Sequence, residues 1–387
     1  SGQPLADRLV LWTRLTGPAL PPAVPVDWVL ADDEDCTRVV ARGTEQALAA
    51  DAHSVHAEPT GLEAGRWYFY RFTALGQQSP TGRTRTAPAP DAAATLRAVL
   101  ASCQRHDSGH YAAWRHAATQ SPDLVLFVGD YIYEYAAAKN ALRPHDGPLV
   151  RNLAQFRDRY ALHKADPALQ AAHAAAPWLV VWDDHEVEND YANDRGQRLA
   201  GPELLALRAA GYQAWWEHMP VPKAMRPVGP DARIHHRLDW GTLARIHALD
   251  ARQFRSHQAC LPAGRVGGSS VVDTAACPEL QQPGRSLLGA AQEQWLAEGW
   301  DLQRRWNLLA QTTLLAPLNL PAPGKPADSG RTWTDGWDGY PTARARLLQG
   351  AAERRVANLV ALGGDVHAHY VATLKADVAN PDSAVLA

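Results

Sequence analysis

The sequence predicts an α/β protein: a layered core of alternating strands and helices, preceded by a small all-β module. Three observations carry this reading. Residues 1–88 hold short, β-prone runs set between glycines and prolines. From Leu96 onward, apolar strand-like runs alternate with longer helix-like stretches. Between the two, Thr86-Ala87-Pro88-Ala89-Pro90-Asp91-Ala92 has the composition of a linker. The expected domains are therefore 1–88 and 93–387.

The N-terminal strands come first. Leu9-Val10-Leu11-Trp12-Thr13-Arg14-Leu15 reads as a strand. In residues 24–30 the side chains of Val24, Val26, Trp28 and Leu30 share one face, and Pro25 predicts an edge strand. Residues 67–74 are aromatic and β-prone, with glycines on both sides. Strands at this spacing predict a small β-sandwich. It carries no chemical constellation, so its expected role is structural.

In the second domain, helical patterns cover 110–120, 152–173, 202–218, 289–306 and 342–355, with further strands at 243–249 and 307–310. Residues 259–288 and 318–340 are long Gly- and Pro-rich loops, of the kind that is usually functional or mobile. No internal repeat is present.

Length and composition bound the function. A chain of 387 residues, 46% hydrophobic and 20% charged, is globular with a sizeable core. Fourteen tryptophans imply a filled core and aromatic cleft walls. A net charge of −3 gives no support for a nucleic-acid-binding surface. No apolar run approaches a membrane span. The chain opens on domain-like sequence, so a targeting segment removed or left out is expected. Residues 384–387 look like a strand cut in the middle, so a continuation is expected there.

The chemistry gathers at strand ends. The apolar run 124–128 leads into Gly129-Asp130-Tyr131-Ile132-Tyr133-Glu134. Run 96–101 leads into Ser102-Cys103, run 178–182 into Asp183-Asp184-His185-Glu186, and run 359–362 into Gly363-Gly364-Asp365-Val366-His367. Open α/β sheets place ligand sites just past such ends. Cys, Asp, Tyr and His are metal-binding types. If the ends converge, Cys103, Asp130, Tyr133, Asp184 and Asp365 share one pocket. Several anions there need compensation, and two or more multivalent cations sharing a bridging carboxylate would provide it.

Neighbouring residues have alternative readings. His185 either donates a hydrogen bond to a bound anion or leaving group, or orients Asp184. Asp183 is expected to be structural, because adjacent strand residues face opposite ways. Glu186 and Glu188 read as charges at a helix N-terminus. His369 shares a face with His367 and is either a ligand or a supporting group. Arg252 either grips an anion bidentately or pairs with Asp250 to hold a loop, and the second is favoured. Trp337, Asp338 and Tyr340 lie in a loop that either covers the site or packs locally. Arg105 and His106 are near enough in sequence to meet substrate anions. Cys260 and Cys277 are expected to form a disulfide, and Cys36 to be a buried structural thiol.

These motifs resemble the alkaline phosphatase D (PhoD-like) family, a branch of the calcineurin-like and purple acid phosphatase metallophosphoesterases. The matching segments are Ser102-Cys103-Gln104, residues 129–134, 182–190, 249–255 and 335–341, and Gly364-Asp365-Val366-His367. Residues 11–15 and 82–88 match in the N-terminal module. The resemblance implies a four-layer αββα core behind a β-sandwich, and exported (secreted or periplasmic) enzymes that hydrolyse phosphate monoesters and diesters. It implies iron as Fe3+ together with one or two Ca2+; Zn2+ is less favoured. Cys103, Asp130, Tyr133 and His367 would hold the ferric ion. Asp130 and Asp365 would reach calcium, helped by Asp184 or Asn189. Related phosphatases carry Asn-His where this chain has Asp184-His185, and an aspartate where it has Cys103.

The expected function is thus an alkaline phosphatase or phosphodiesterase acting through a metal-activated hydroxide. Asp130 and His185 are catalytic, and His185, Arg252, Trp337 and Arg105 bind substrate. The partners are small phosphate esters, and the chain is expected to be a monomer. No Gly-x-Ser-x-Gly elbow offers a serine nucleophile. Two alternatives remain. One is a preference for diesters such as teichoic acid, phospholipid or nucleotides. The other is an extracytoplasmic binding module with a decayed site, which the intact ligand set argues against.

Overall fold

A computed structural model describes residues 1–318, 320, 330–378, 380 and 382–387. The N-terminal region packs two antiparallel sheets around one core. Strand Ala23–Ala31 runs between Val39–Leu48 and Trp67–Ala74, and the latter also pairs with Gln77–Gln78 and Gly82–Arg85. Leu11–Arg14 pairs with Ser54–Ala57. Leu11, Val55 and Ala57 from the small sheet meet Val24, Val26, Leu30, Tyr68, Tyr70 and Phe72 from the large one. The expected edge strand is therefore internal. Pro25 is tolerated because pairing with Trp67–Ala74 begins only at Asp27, leaving Pro25 in an overhang where a missing N–H breaks no ladder bond.

The second region holds two further sheets. Ala98–Ala101, Leu124–Val128 and Trp178–Val181 form a parallel sheet with Leu124–Val128 in the middle. Ala244–Ala248, Trp306–Ala310 and Leu359–Leu362 run parallel in the other, with His236–Trp240 antiparallel at one edge. All five residues of Leu124–Val128 are buried, as expected of a strand covered on both faces.

The order of layers follows from two cores. Trp114, Phe156, Leu169, Tyr212 and Trp215, from helices Ala112–Thr119, Leu153–Lys164, Pro167–Ala175 and Pro202–His218, pack with the first sheet. The same core takes Leu238, Ile246 and Ala310 from the second sheet. Leu309 and Leu359 belong instead to the other core, with Leu296, Ala343 and Leu348 from helices Ala290–Glu298 and Pro341–Glu353. Adjacent Leu309 and Ala310 thus serve opposite faces, and the layers run helix, sheet, sheet, helix.

Several elements differ from expectation. The helix expected over 152–173 is two, because Asp166 accepts from the Ala168 and Leu169 amides and Pro167 opens the second helix. The helix expected over 289–306 stops at Glu298, before Gly299. Strand His236–Trp240 was not foreseen; its two-face pattern is weak, and it forms by pairing with Ala244–Ala248 across a turn at Gly241. Cys36 is half-buried in a surface turn, not in the core. Loop 259–288 is stapled by the expected disulfide Cys260–Cys277 (Cα–Cα 6.0 Å). Its strand Val271–Asp273 pairs with Arg331–Trp333 of the second long loop, of which 319 and 321–329 lie outside the described residues. Among the described residues, no helix is long and apolar enough to cross a membrane.

Candidate metal centre

The strand ends do converge. Gly129 has φ +98°, and a Cβ there would stand 2.4 Å from Asp183 Cβ. Glycine thus lets the two adjacent strands Leu124–Val128 and Trp178–Val181 deliver Asp130 and Asp183 side by side. Four candidate ligands, Cys103, Asp130, Asp365 and His367, adopt positive φ of 57°, 59°, 65° and 50°. Each such backbone costs on the order of 1–3 kcal/mol and is held only where surroundings enforce it. At Asp130, buried Glu186 provides that enforcement. Its carboxylate accepts from the amides of Asp130 (3.2 Å), Tyr131 and Asp183 (2.8 Å). Burial pushes its pKa up to about 7, against these hydrogen bonds. No helix starts at Glu186 or Glu188, so neither is a helix-end charge; Glu188 accepts from the Arg198 amide (2.6 Å).

Among the described residues, three overlapping groups bring ligand atoms within 4.8 Å of one another: Cys103, Asp130 and His367; Asp130, Asp184 and His185; and Asp183, Asp184 and Asp365. Asp130 and Asp184 are the shared members. Tyr133 Oη donates to Asp130 Oδ2 (3.0 Å) and lies 3.1 Å from His367 Nε2. The Asp365 amide donates to Cys103 Sγ (3.2 Å).

The donor set fits cations. Asp130 Oδ1, Asp183 Oδ2, Asp184 Oδ1 and Asp365 Oδ2 are buried with no hydrogen-bond partner. Buried acceptors are rarely left so, and hard oxygen ligands to a cation would satisfy them. The electrostatics are those of an uncompensated site. Burial pushes Asp130 and Asp365 well above the carboxylate range, and pushes the Cys103 thiol and Tyr133 phenol up. Burial also opposes the charge on Asp184, but Arg252 and His185 outweigh it and hold that carboxyl low. A bound metal would require Cys103 and Tyr133 to lose their protons.

His185 Nδ1 lies 2.7 Å from Glu134 Oε2. The other Glu134 oxygen accepts from the Asn189 amide (3.0 Å). Burial opposes the imidazolium, but Asp184, Asp130 and Glu134 overcome it and raise the His185 pKa well above its usual value. The role of Glu134 was missed in the sequence, although it closes the 129–134 run. Asp183 holds Arg252, yet the alternation argument does not keep it out of the cluster. The strand stops at Val181, so alternation no longer governs residues 183 and 184, and both carboxylates enter the cluster.

Other expected site residues lie elsewhere. Arg252 is fully buried and its guanidinium is held by Asp183 and Asp335, so it has no free fork for phosphate; Asp250 accepts only its backbone amide. Trp337 is 1% exposed, inside the second core, with Nε1 on Gln311 Oε1 (3.1 Å), so its ring packs the loop and offers no face to substrate. Tyr340 is buried on the Ser256 carbonyl, and Asp338 pairs with Arg344. His106 is buried against His163 and Tyr111, with its pKa lowered by burial to about 4, so it carries no charge for an anion. His369 is exposed and outside the groups; residues 365–368 bend, so it shares no strand face with His367. Arg105 is closer. It is clamped on Asp107 (2.6 Å), one-third exposed, with its guanidinium 5.7 Å from the Tyr133 ring centre.

Comparison with known proteins identifies the family. The family model described as "PhoD-like phosphatase" matches residues 98–387, and that of its N-terminal domain matches 1–88. The chain is similar to alkaline phosphatase D of Bacillus subtilis (strain 168), with 40% identity over 399 residues. That match covers 100% of this chain and 66% of the relative's length. A solved structure described as "Structure of PhoD" superposes with a TM-score of 0.92 at 39% identity, covering 99% of this chain and 74% of that one.

Proposed function

The chain belongs to the PhoD-like phosphatase family, and we propose that it is a metal-dependent phosphoric ester hydrolase of the alkaline phosphatase and phosphodiesterase type. The observation that carries this is the convergence of four unpartnered, buried carboxylate oxygens beside a thiol and a phenol. Cys103, Asp130, Tyr133 and His367 would hold a ferric ion. Asp130, Asp365 and Asp184, with Asn189, would hold calcium. When bound, such cations acidify a water and neutralise charge building on phosphoryl oxygens.

The chain's own residues supply the rest. His185, fixed through Nδ1 by Glu134, is placed to give a proton or hydrogen bond to the ester oxygen that leaves. Arg105 stands half-open beside Tyr133, where it can meet a substrate oxygen. Residues 1–88 act as a brace for the 93–387 domain: Trp12 Nε1 donates to the Glu217 carbonyl (3.1 Å), and His56 stacks on Trp216 at 4.4 Å. The Cys260–Cys277 disulfide supports export to an oxidising compartment. Substrates are small phosphate esters, and the working form is a monomer.

The experiment is elemental analysis of the pure protein, paired with phosphate release from one monoester and one diester. Bound iron and calcium with turnover of either substrate supports the proposal. A metal-loaded protein inert on both contradicts it.

A further inference from the structure

One cation beneath the carboxylate cluster belongs to the chain itself. Arg252 is 0% exposed. Its Nε donates to Asp183 Oδ1 and its Nη1 to Asp335 Oδ2 (2.8 Å). The third nitrogen, Nη2, has no hydrogen-bond partner. It lies 3.5 Å from Asp184 Oδ1 and 3.9 Å from Asp365 Oδ1. The guanidinium therefore reaches Asp183, Asp184 and Asp365, the whole of one candidate metal group. Asp335 adds no spare anion, because Arg255 pairs with its other oxygen at 2.9 Å.

Counting charges gives Arg252 its role. Asp130, Asp183, Asp184 and Asp365 face the centre; Arg252 opposes three of them, and His185, already paired with Glu134, stands beside Asp130 and Asp184. Without Arg252, the carboxylates would have to fold together against their own repulsion and desolvation. With it, they gather before a metal arrives, yet one face of each stays unpartnered.

We propose that Arg252 is a built-in counter-cation: a positioning residue that gathers the ligand carboxylates in the metal-free protein and then competes with incoming metal for them. This rests on the metal reading of the site given above. Its removal has two effects of opposite sign. The metal-free protein loses stability, because buried anions lose their partner. The loaded protein binds cations more tightly, because a fixed positive charge a few ångströms away no longer repels them. A residue that merely held a loop would weaken both.

The test uses wild type, Arg252→Met and Arg252→Lys, each stripped with chelator and titrated with calcium. Thermal unfolding and calorimetric calcium binding are read. Metal-free Arg252→Met should melt well below wild type, recover most of the difference on calcium addition, and bind calcium on the order of tenfold more tightly. Arg252→Lys keeps the charge and should stay near wild type without metal. If Arg252→Met folds only when refolded in calcium, the inference also stands. Equal loss with and without calcium, or binding no tighter than wild type, overturns it. So does an Arg252→Lys protein as damaged as Arg252→Met, because the shape of the fork would then matter and not its charge. A wild type indifferent to calcium in both readouts overturns the metal reading itself.

Discussion

His185 Nδ1 and Glu134 Oε2 stand 2.7 Å apart, both buried, with Glu134 further fixed by the Asn189 amide. A carboxylate on Nδ1 keeps that nitrogen protonated and turns Nε2 toward the cluster. Glu134→Gln keeps the size and the Asn189 contact but removes the charge. We expect kcat to fall about 10–100-fold, as for loss of a partner that orients a site group. Thermal unfolding checks that the variant folds. Unaltered turnover in a folded variant would remove His185 from the chemistry or free it from Glu134.

Asp130 is shared by two of the candidate groups and has an unpartnered buried oxygen. Asp130→Asn replaces the proposed bridging carboxylate with a neutral amide. Hydrolysis should drop by more than ~100-fold, beyond the loss from an outer partner. The fold should persist, because burial already favours the neutral form of this group. Phosphate release, metal content and thermal unfolding of the variant check this. Near-normal turnover with metals retained would show that Asp130 is no bridge.

Cys103 and Tyr133 predict colour. Both flank Asp130, with Tyr133 Oη 3.0 Å from its carboxylate. Thiolate and phenolate are electron-rich donors, and on ferric iron they give charge-transfer absorption in the visible; zinc, with a filled d shell, gives none. Tyr133→Phe should shift or weaken the band, and Cys103→Ser should alter it more. The spectrum of an iron-containing wild type and both variants decides. A band unmoved by either change would remove both residues from the iron.

Acid should destabilise the fold through histidines far from the metal centre. Burial lowers the pKa of His56 to about 4 and that of His247 to about 4. The unfolded chain takes up these protons near pH 6.5, whereas the folded protein resists until about pH 4. The stability is therefore complete above pH 6.5 and is lost as pH falls from 6.5 toward 4. At pH 5 each contributes up to ~2 kcal/mol of loss. Melting curves at pH 8 and pH 5, for wild type and a His56→Gln/His247→Gln double variant, test this. An equal pH slope in both would refute it.

The sequence disclosed the site better than its supporting parts. Cys103, Asp130, Asp184, Asp365 and His367 were legible because each follows an apolar run, and strand ends carry ligands by geometry alone. Supporting residues lack such a marker. Glu186 clasps backbone amides across 50 or more positions of chain (|i−j| 55 and 56), and only the folded chain shows it. Strand alternation does not extend past Val181, so it does not keep Asp183 out of the cluster. Arg252 and Trp337, each read either as a substrate contact or as a loop-holding residue, are buried, because long-range packing decides burial and local pattern does not. The break at Asp166-Pro167 was readable from capping chemistry and was passed over.

The central claim is that the converging carboxylates work through bound cations. Its most direct measurement is phosphate release during titration with EGTA, followed by back-titration with calcium. The account predicts that activity falls in step with calcium removed and returns when calcium is restored, while the chain stays folded. Full activity after exhaustive calcium removal would contradict it.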